Sequence, residues 1–268
     1  MNKISKITAL ALMAVAVFTS ACDKPPPEKS GGKELLIYCG ITMILPMQEI
    51  ARIIEKEQNC VIKITKGGSG NLLRSIKINQ MGDLYLPGSD SYIKTAMADG
   101  LVVETVFVGY NQAALIVPKG NPRRITPDPA NLAHEQYAVV IANPESGSIG
   151  RQTKKVLEKK GVWEEVSANV IYLTTDSKDI TKAIKSGEAD VGINWYATAF
   201  WPENRDYIQA IPFDPALSPR KKLLLGLLRF SRHPKIAERF MAYASGPKGR
   251  EIFKAYGFLT ENDLKRNP

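Results

Sequence analysis

Short apolar runs alternate along the chain with segments whose apolar residues recur at helical spacing. Residues 35–39 form a compact apolar run, and over 43–57 Met47, Ile50, Ala51 and Ile54 fall at three- and four-residue intervals, which predicts a helix. Residues 60–65 alternate as a strand does, and 71–78 return to helical spacing. The pattern recurs at 84–86, 138–142, 149–158, 170–173, 180–185 and 191–195. Strands separated by helices predict an α/β fold with mostly parallel sheets, because parallel neighbours need a crossover connection. Two β-rich stretches, 113–118 and 223–230, interrupt the alternation and are long enough to cross between lobes. They predict a two-lobed molecule joined by two crossover strands, with residues 34–115 and 225–268 in lobe 1 and 116–224 in lobe 2. Two crossings make a hinge. No internal repeat survives residue-by-residue comparison.

The N-terminus has the pattern of an export signal. Lys3 and Lys6 precede an apolar run over 7–18, and Thr19, Ser20 and Ala21 lead into Cys22. The run is too short to span a bilayer. Small residues directly before a cysteine resemble the lipobox of bacterial lipoproteins, with Thr19 standing where leucine is usual. The expectation is a signal peptide over 1–21, lipid attachment at Cys22, and a flexible tether over 22–33 containing Pro25, Pro26, Pro27, Gly31 and Gly32. Asp23 after the cysteine suggests retention at the outer face of the inner membrane.

Charge and composition narrow the chemistry. The 268 residues carry 36 Lys+Arg against 27 Asp+Glu, a formal charge of +9; losing residues 1–21, with two lysines and no acids, leaves +7. With 44% hydrophobic residues the chain reads as globular. Two histidines, His134 and His233, sit in polar or pre-proline positions and offer no general base for a triad. The basic runs at 159–160 and 220–222 are ordinary solvated faces, and export argues against a nucleic-acid partner. No dinucleotide fingerprint, P-loop or nucleophile elbow is present, so neither a cofactor nor an enzyme is indicated. Cys39 closes the first predicted strand and Cys60 opens the second. In a parallel sheet these are opposite edges, about 15 Å apart for strands of this length, which predicts no disulfide between them. Cys39 then falls at the cleft-facing sheet edge, as a buried thiol or a possible ligand contact.

Four strand-to-helix loops share one chemistry. Gly40, Ile41 and Thr42 follow the first strand; Gly67, Gly68, Ser69, Gly70 and Asn71 follow the second. Ser146, Gly147 and Ser148, and then residues 174–179, repeat the arrangement in the second lobe. Small residues admit close approach, and helix N-termini present unpaired N–H groups and a dipole suited to an anion. In a parallel sheet such loops share the carboxyl edge, where open α/β folds bind ligands.

The stretches 36–50, 68–76, 83–86, 143–145, 190–193 and 253–258 together resemble, in order, the molybdate-binding proteins of bacterial ABC importers, over nearly all of residues 35–259. The resemblance implies a type II periplasmic binding fold that closes around its ligand and hands it to a membrane permease, as a monomer held by Cys22. It implies molybdate or tungstate as ligand, with another small anionic solute or a sensor role as the alternative. Carried over residue by residue, it puts hydroxyl donors at Thr42 and Ser69, beside Gly70, and backbone donors at Ile149, next to Ser148, and at Ile180. The family's ligand-facing tyrosine falls on Trp195, with Tyr196 beside it. An indole N–H donates but cannot accept. A cleft of neutral donors needs no lysine or arginine, since oriented N–H dipoles supply the potential.

Overall fold

The computed structural model describes residues 32–260; the expected signal peptide, Cys22 and the tether up to residue 31 lie outside the described residues. β1 (Glu34–Gly40) leads through a 3-10 turn (Ile41–Met43) into α1 (Ile44–Gln58), then come β2 (Val61–Gly67), α2 (Ser69–Asn79), β3 (Leu84–Leu86), α3 (Asp90–Ala98) and the long β4 (Val102–Asn111). The next pass comprises β5 (Ala113–Pro118), β6 (Val139–Ala142), α4 (Ser148–Lys160), α5 (Trp163–Asn169), β7 (Val170–Thr174), α6 (Ser177–Lys185), β8 (Val191–Trp195) and β9 (Ile208–Pro212). The chain returns as β10 (Lys221–Leu228) and ends in α7 (Pro234–Ser245) and α8 (Pro247–Ala255).

Two five-stranded sheets result, ordered β2-β1-β3-β10-β4 and β7-β6-β8-β5-β9. In each, β1–β3 or their counterparts β6–β8 pair in parallel. The fourth strand, β10 or β5, is antiparallel to both neighbours, so four strands of five run the same way. The reversed strand of each sheet is the one that has just arrived from the other. β5 lies wholly in the second sheet and β10 wholly in the first. The passages between the sheets therefore fall at Gln112 and within 213–220, three residues or more before the expected boundaries after residues 115 and 224. Extended runs stay in their sheet to the end because each backbone N–H and C=O left unpaired inside a lobe is costly.

Each sheet buries its own core. Leu35, Ile37, Leu84 and Leu225 of the first sheet pack on Met47, Ile50 and Ile54 of α1 and on Phe240 and Phe253 of α7 and α8. Those three α1 residues sit one helical turn apart, which is why this segment folds as a helix against the sheet. Its end is set by Asn59, in the left-handed region at φ 48°, whose N–H bonds to Glu55 O. In the second lobe Leu115, Val139, Ile141, Val191 and Ile193 pack on Leu157 of α4 and Ile184 of α6. The C-terminal segment ties back to the first sheet through a bridge between Tyr110 and Leu259. Cys39 and Cys60 are free thiols; β1 pairs Cys39 with Lys66, six residues past Cys60, so the two lie at opposite ends of the strand pair.

Candidate functional site

The carboxyl ends of six strands, three from each sheet, meet across one cavity. From the first sheet come Gly40, Ile41, Thr42 and Met43 after β1, Gly67, Gly68 and Ser69 after β2, and Gly88 after β3. The second sheet supplies Gly147, Ser148 and Ile149 after β6, Asp176 and Ser177 after β7, and Trp195 at the end of β8. The cavity they enclose is about 10 Å³, counted over the centres of water-sized atoms. That is room for about one ordered water.

The lobes touch around it. Thr42 Oγ1 donates to Ser177 Oγ at 3.3 Å across the cleft, and the Asn71 amide donates to Ser146 O at 3.3 Å. The Arg151 guanidinium lies 4.2 Å from the centre of the Tyr92 ring on the opposite lobe. At Gly88 a Cβ would collide with the Ser148 hydroxyl, and at Gly68 it would collide with Ser146 O. Only glycine permits this closeness at those two positions.

The polar groups of the lining are mostly neutral donors. α2 and α4 begin at Ser69 and Ser148 after glycine N-caps, and no side chain satisfies their first amides. The turn after β1 likewise starts at Gly40 without a side-chain cap. Ser69 Oγ accepts the Gly88 amide at 3.0 Å, which leaves its own proton free to donate. Trp195 is buried, and its Nε1 lies beside Gly88 with no acceptor among the described residues. Asp176 is the exception. Its Oδ1 accepts the Lys178 and Asp179 amides at 2.7 and 3.4 Å and so caps α6. Burial pushes its carboxyl above the usual aspartate range, with the Lys178 amide opposing and Asp179 reinforcing the shift. Among the described residues no group of three or more His, Cys, Asp or Glu side chains could hold a metal ion.

Of the residues singled out in the sequence, Thr42, Ser69, Ser148, Ile149 and Trp195 share the cavity wall. Four expected residues lie elsewhere. Cys39 points into the first core, its Sγ donating to Gly40 O, and burial raises its thiol pKa far out of the physiological range. Gly70 lies one residue inside α2, at the lobe contact with Glu145 O rather than in the wall. Ile180 is fully buried in the second core, and the amides before it in α6 are occupied by Asp176. Tyr196 turns away, its ring 5.0 Å from Phe200 and its amide bonded to Gln112 O, with burial raising its phenol. The sequence reading missed Gly88, and it included Asp176 in the 174–179 loop without giving its side chain a role. Pro87-Gly88 was the available signal for a turn at the end of β3, and an Asp three residues before another Asp at a helix start was the signal for a cap.

The chain is similar to known solute receptors over most of its length. A candidate ABC transporter substrate-binding lipoprotein of Bacillus subtilis, YvgL, is 27% identical over 80% of this chain and 82% of its own. The molybdate-binding protein ModA of Rhodobacter capsulatus is 23% identical over 81% and 84%. Among solved structures, the periplasmic molybdate-binding protein of Azotobacter vinelandii superposes with a TM-score of 0.70 at 17% identity, covering 84% of this chain and 99% of that one. The binding protein AfuA of Actinobacillus pleuropneumoniae, with fructose-6-phosphate bound, gives 0.73 at 16% identity, covering 87% and 86%. The likeness to molybdate-binding proteins read from the ordered stretches is therefore present in both sequence and fold. With its residues 35–259 matched by the family model, the chain belongs to the bacterial extracellular solute-binding proteins.

Proposed function

We propose that this protein captures a compact tetrahedral oxyanion, molybdate or tungstate, between its lobes and delivers it to the permease of an ABC importer. The observation that carries this reading is the convergence of uncapped helix starts and small hydroxyl residues, from both sheets, on one small cavity. Helix starts at Ser69 and Ser148 present amides and a positive dipole end to the same point. The hydroxyls of Thr42, Ser69, Ser148 and Ser177 and the Trp195 indole add donors that can rotate or aim toward oxygen atoms. Neutral donors supply the potential without a countercharge, as oriented dipoles do in other anion sites. The ligand bridges groups from both lobes and so stabilises the closed form, by the amount it binds that form better than the open one.

Capture, not turnover, is the activity. Lipid attachment at Cys22 would hold a single copy at the outer face of the inner membrane, within reach of the permease. The test is a thermal-shift panel on protein starting after Cys22, with molybdate, tungstate, sulfate, phosphate and thiosulfate. A ligand that binds only the folded state raises the melting temperature. Selective shifts with molybdate and tungstate, reduced in Ser69→Ala, are expected. Loss of one hydrogen bond to a charged ligand corresponds to about tenfold weaker binding. No shift with any oxyanion would overturn the reading.

A further inference from the structure

Away from the cleft, the second lobe carries a larger hollow between α6 and residues 201–204, which follow the 3-10 turn Tyr196–Phe200. Lys178, Lys182 and Lys185 line it from α6, and Trp201, Glu203 and Asn204 line it from the other side. Its volume, about 290 Å³, far exceeds that of the cleft cavity and stands near the lower end of the ~300–1,000 Å³ that small-molecule sites occupy. The three lysines fall at four- and three-residue intervals, so the helix presents them on one face. Lys185 is already engaged: its Nζ donates to Glu203 O and, at 3.2 Å, to Asn204 Oδ1, which ties the two walls together. The ammonium groups of Lys178 and Lys182 make no ion pair and no hydrogen bond among the described residues. Such a pair one turn apart is repulsive until an anion joins it. Thr181, Trp201 and Asn204 are the buried part of the lining. Thr181 donates to Lys178 O and the Asn204 amide to Thr198 O, at 2.9 Å each. Trp201 is 2% exposed, and its Nε1 has no hydrogen-bond partner among the described residues. A buried N–H without an acceptor is costly, and Trp201 lines a space large enough to admit one.

We propose that this hollow is a second ligand site, for a small organic anion: a phosphate or carboxylate that bridges Lys178 and Lys182, carried on an apolar or aromatic body that packs on Trp201. What the protein leaves unmet around the hollow is all of one kind, two ammonium groups and one buried indole N–H, and each is a donor. An ammonium recognises a phosphate or carboxylate as a point charge, and the bond is strengthened by the charges on both partners. Glu203 is the single acid of the lining against three lysines, so an anion still enters a cationic surround. The floor of buried side chains makes the feature a hollow for a small molecule rather than a flat face for a bilayer. The inference stands apart from the oxyanion reading of the cleft, since the two cavities share no lining residue.

The probe is phenyl phosphate, titrated into isotope-labelled protein starting after Cys22 and followed by magnetic resonance of the indole N–H groups of Trp163, Trp195 and Trp201. Trp201→Phe, or sequential assignment, identifies the Trp201 signal. A saturable shift of that signal is expected, with Trp163 unmoved. Lys178→Gln combined with Lys182→Gln should weaken the binding by about tenfold. Both lysines are exposed and have no protein partner to lose, so the double variant keeps the fold, which an unchanged melting temperature checks. A Trp201 signal that phenyl phosphate leaves unmoved, or equal binding by the double variant, overturns the proposal. So does a response to phosphatidylglycerol vesicles with none to phenyl phosphate, which would make the lysines a membrane-facing patch. Each of these outcomes leaves the oxyanion reading of the cleft as it was, because the oxyanion panel tests that reading separately.

Discussion

Ser69 can use both sides of one hydroxyl: Oγ accepts the Gly88 amide, which leaves its own proton to donate. This couples the loop after β2 to the loop after β3, and removing the hydroxyl frees a buried amide as well as losing a ligand donor. Gly88 matters for the opposite reason, because it is the absence of a side chain that lets Ser148 approach. Gly88→Ala is expected to leave the lobes folded but hold them apart, weakening ligand binding by about tenfold; calorimetric titration checks it, and an unchanged affinity would contradict the closed cavity described here. The loops that carry Thr42, Ser69 and Ser148 were legible in the sequence from the α/β pattern, whereas their ligand roles, and the place of Trp195, came only from the likeness to molybdate-binding proteins. The sequence left two readings open for Cys39, of which the buried thiol is the one found, and two for the Trp195–Tyr196 pair, since a position at a strand end does not say which side of the chain a side chain takes. Ile180 lies outside the cavity wall, one residue past the two amides that Asp176 accepts at the start of its helix.

At the level of elements, the two sheets share one topology, and the same device builds both. Asp83 directly precedes β3 and accepts the Leu36 amide of β1 at 2.8 Å. Asp190 directly precedes the equivalent β8 and accepts the Ala138 amide, at the start of β6, at 3.0 Å. Asp83 is buried and also accepts from the Ser231 hydroxyl and the Arg232 amide, at 2.6 and 3.1 Å, which pins the chain after β10. Asp190 is more open and pairs with Arg123 at 3.2 Å. Asp83→Ala should therefore destabilise the fold by about 3 kcal/mol, through three orphaned donors. Asp190→Ala should cost about 1 kcal/mol, and urea unfolding of the two variants reads the difference. Equal losses would contradict the assignment of Asp83 as the deeper staple. The sequence shows these acids as parts of an ordered resemblance, but not their equivalence, because the repeat lies in topology and in hydrogen bonds rather than in residue identity. Helix starts were read late for a related reason. α2, α4 and α6 begin at Ser69, Ser148 and Ser177, one to three residues before their apolar periodicity does, because a first turn that faces a cavity carries small polar residues instead of core ones. The reversed β5 and β10 were hidden too, since an apolar run buried on both faces does not reveal its direction.

For the whole molecule, the claim is that two lobes close on an anion by pivoting at Gln112 and at 213–220. Each lobe has its own buried core, so the motion need not disturb either sheet. Closure is held in part by Arg151 over Tyr92 and by the Thr42–Ser177 hydroxyl pair, contacts weak enough that a ligand decides the balance. The formal charge of +9 raises the local concentration of anions, while salt limits that attraction to a Debye length of about 8 Å; specificity has to come from the cleft. The most direct measurement is a crystal structure of the protein grown with tungstate, using the anomalous scattering of tungsten to locate the ion. The account predicts a single strong peak between Ser69, Ser148 and Trp195, with oxygens in reach of the Ser69 hydroxyl and the first amides of α2 and α4. Tungsten found only at surface lysines, with the cleft empty, would contradict it.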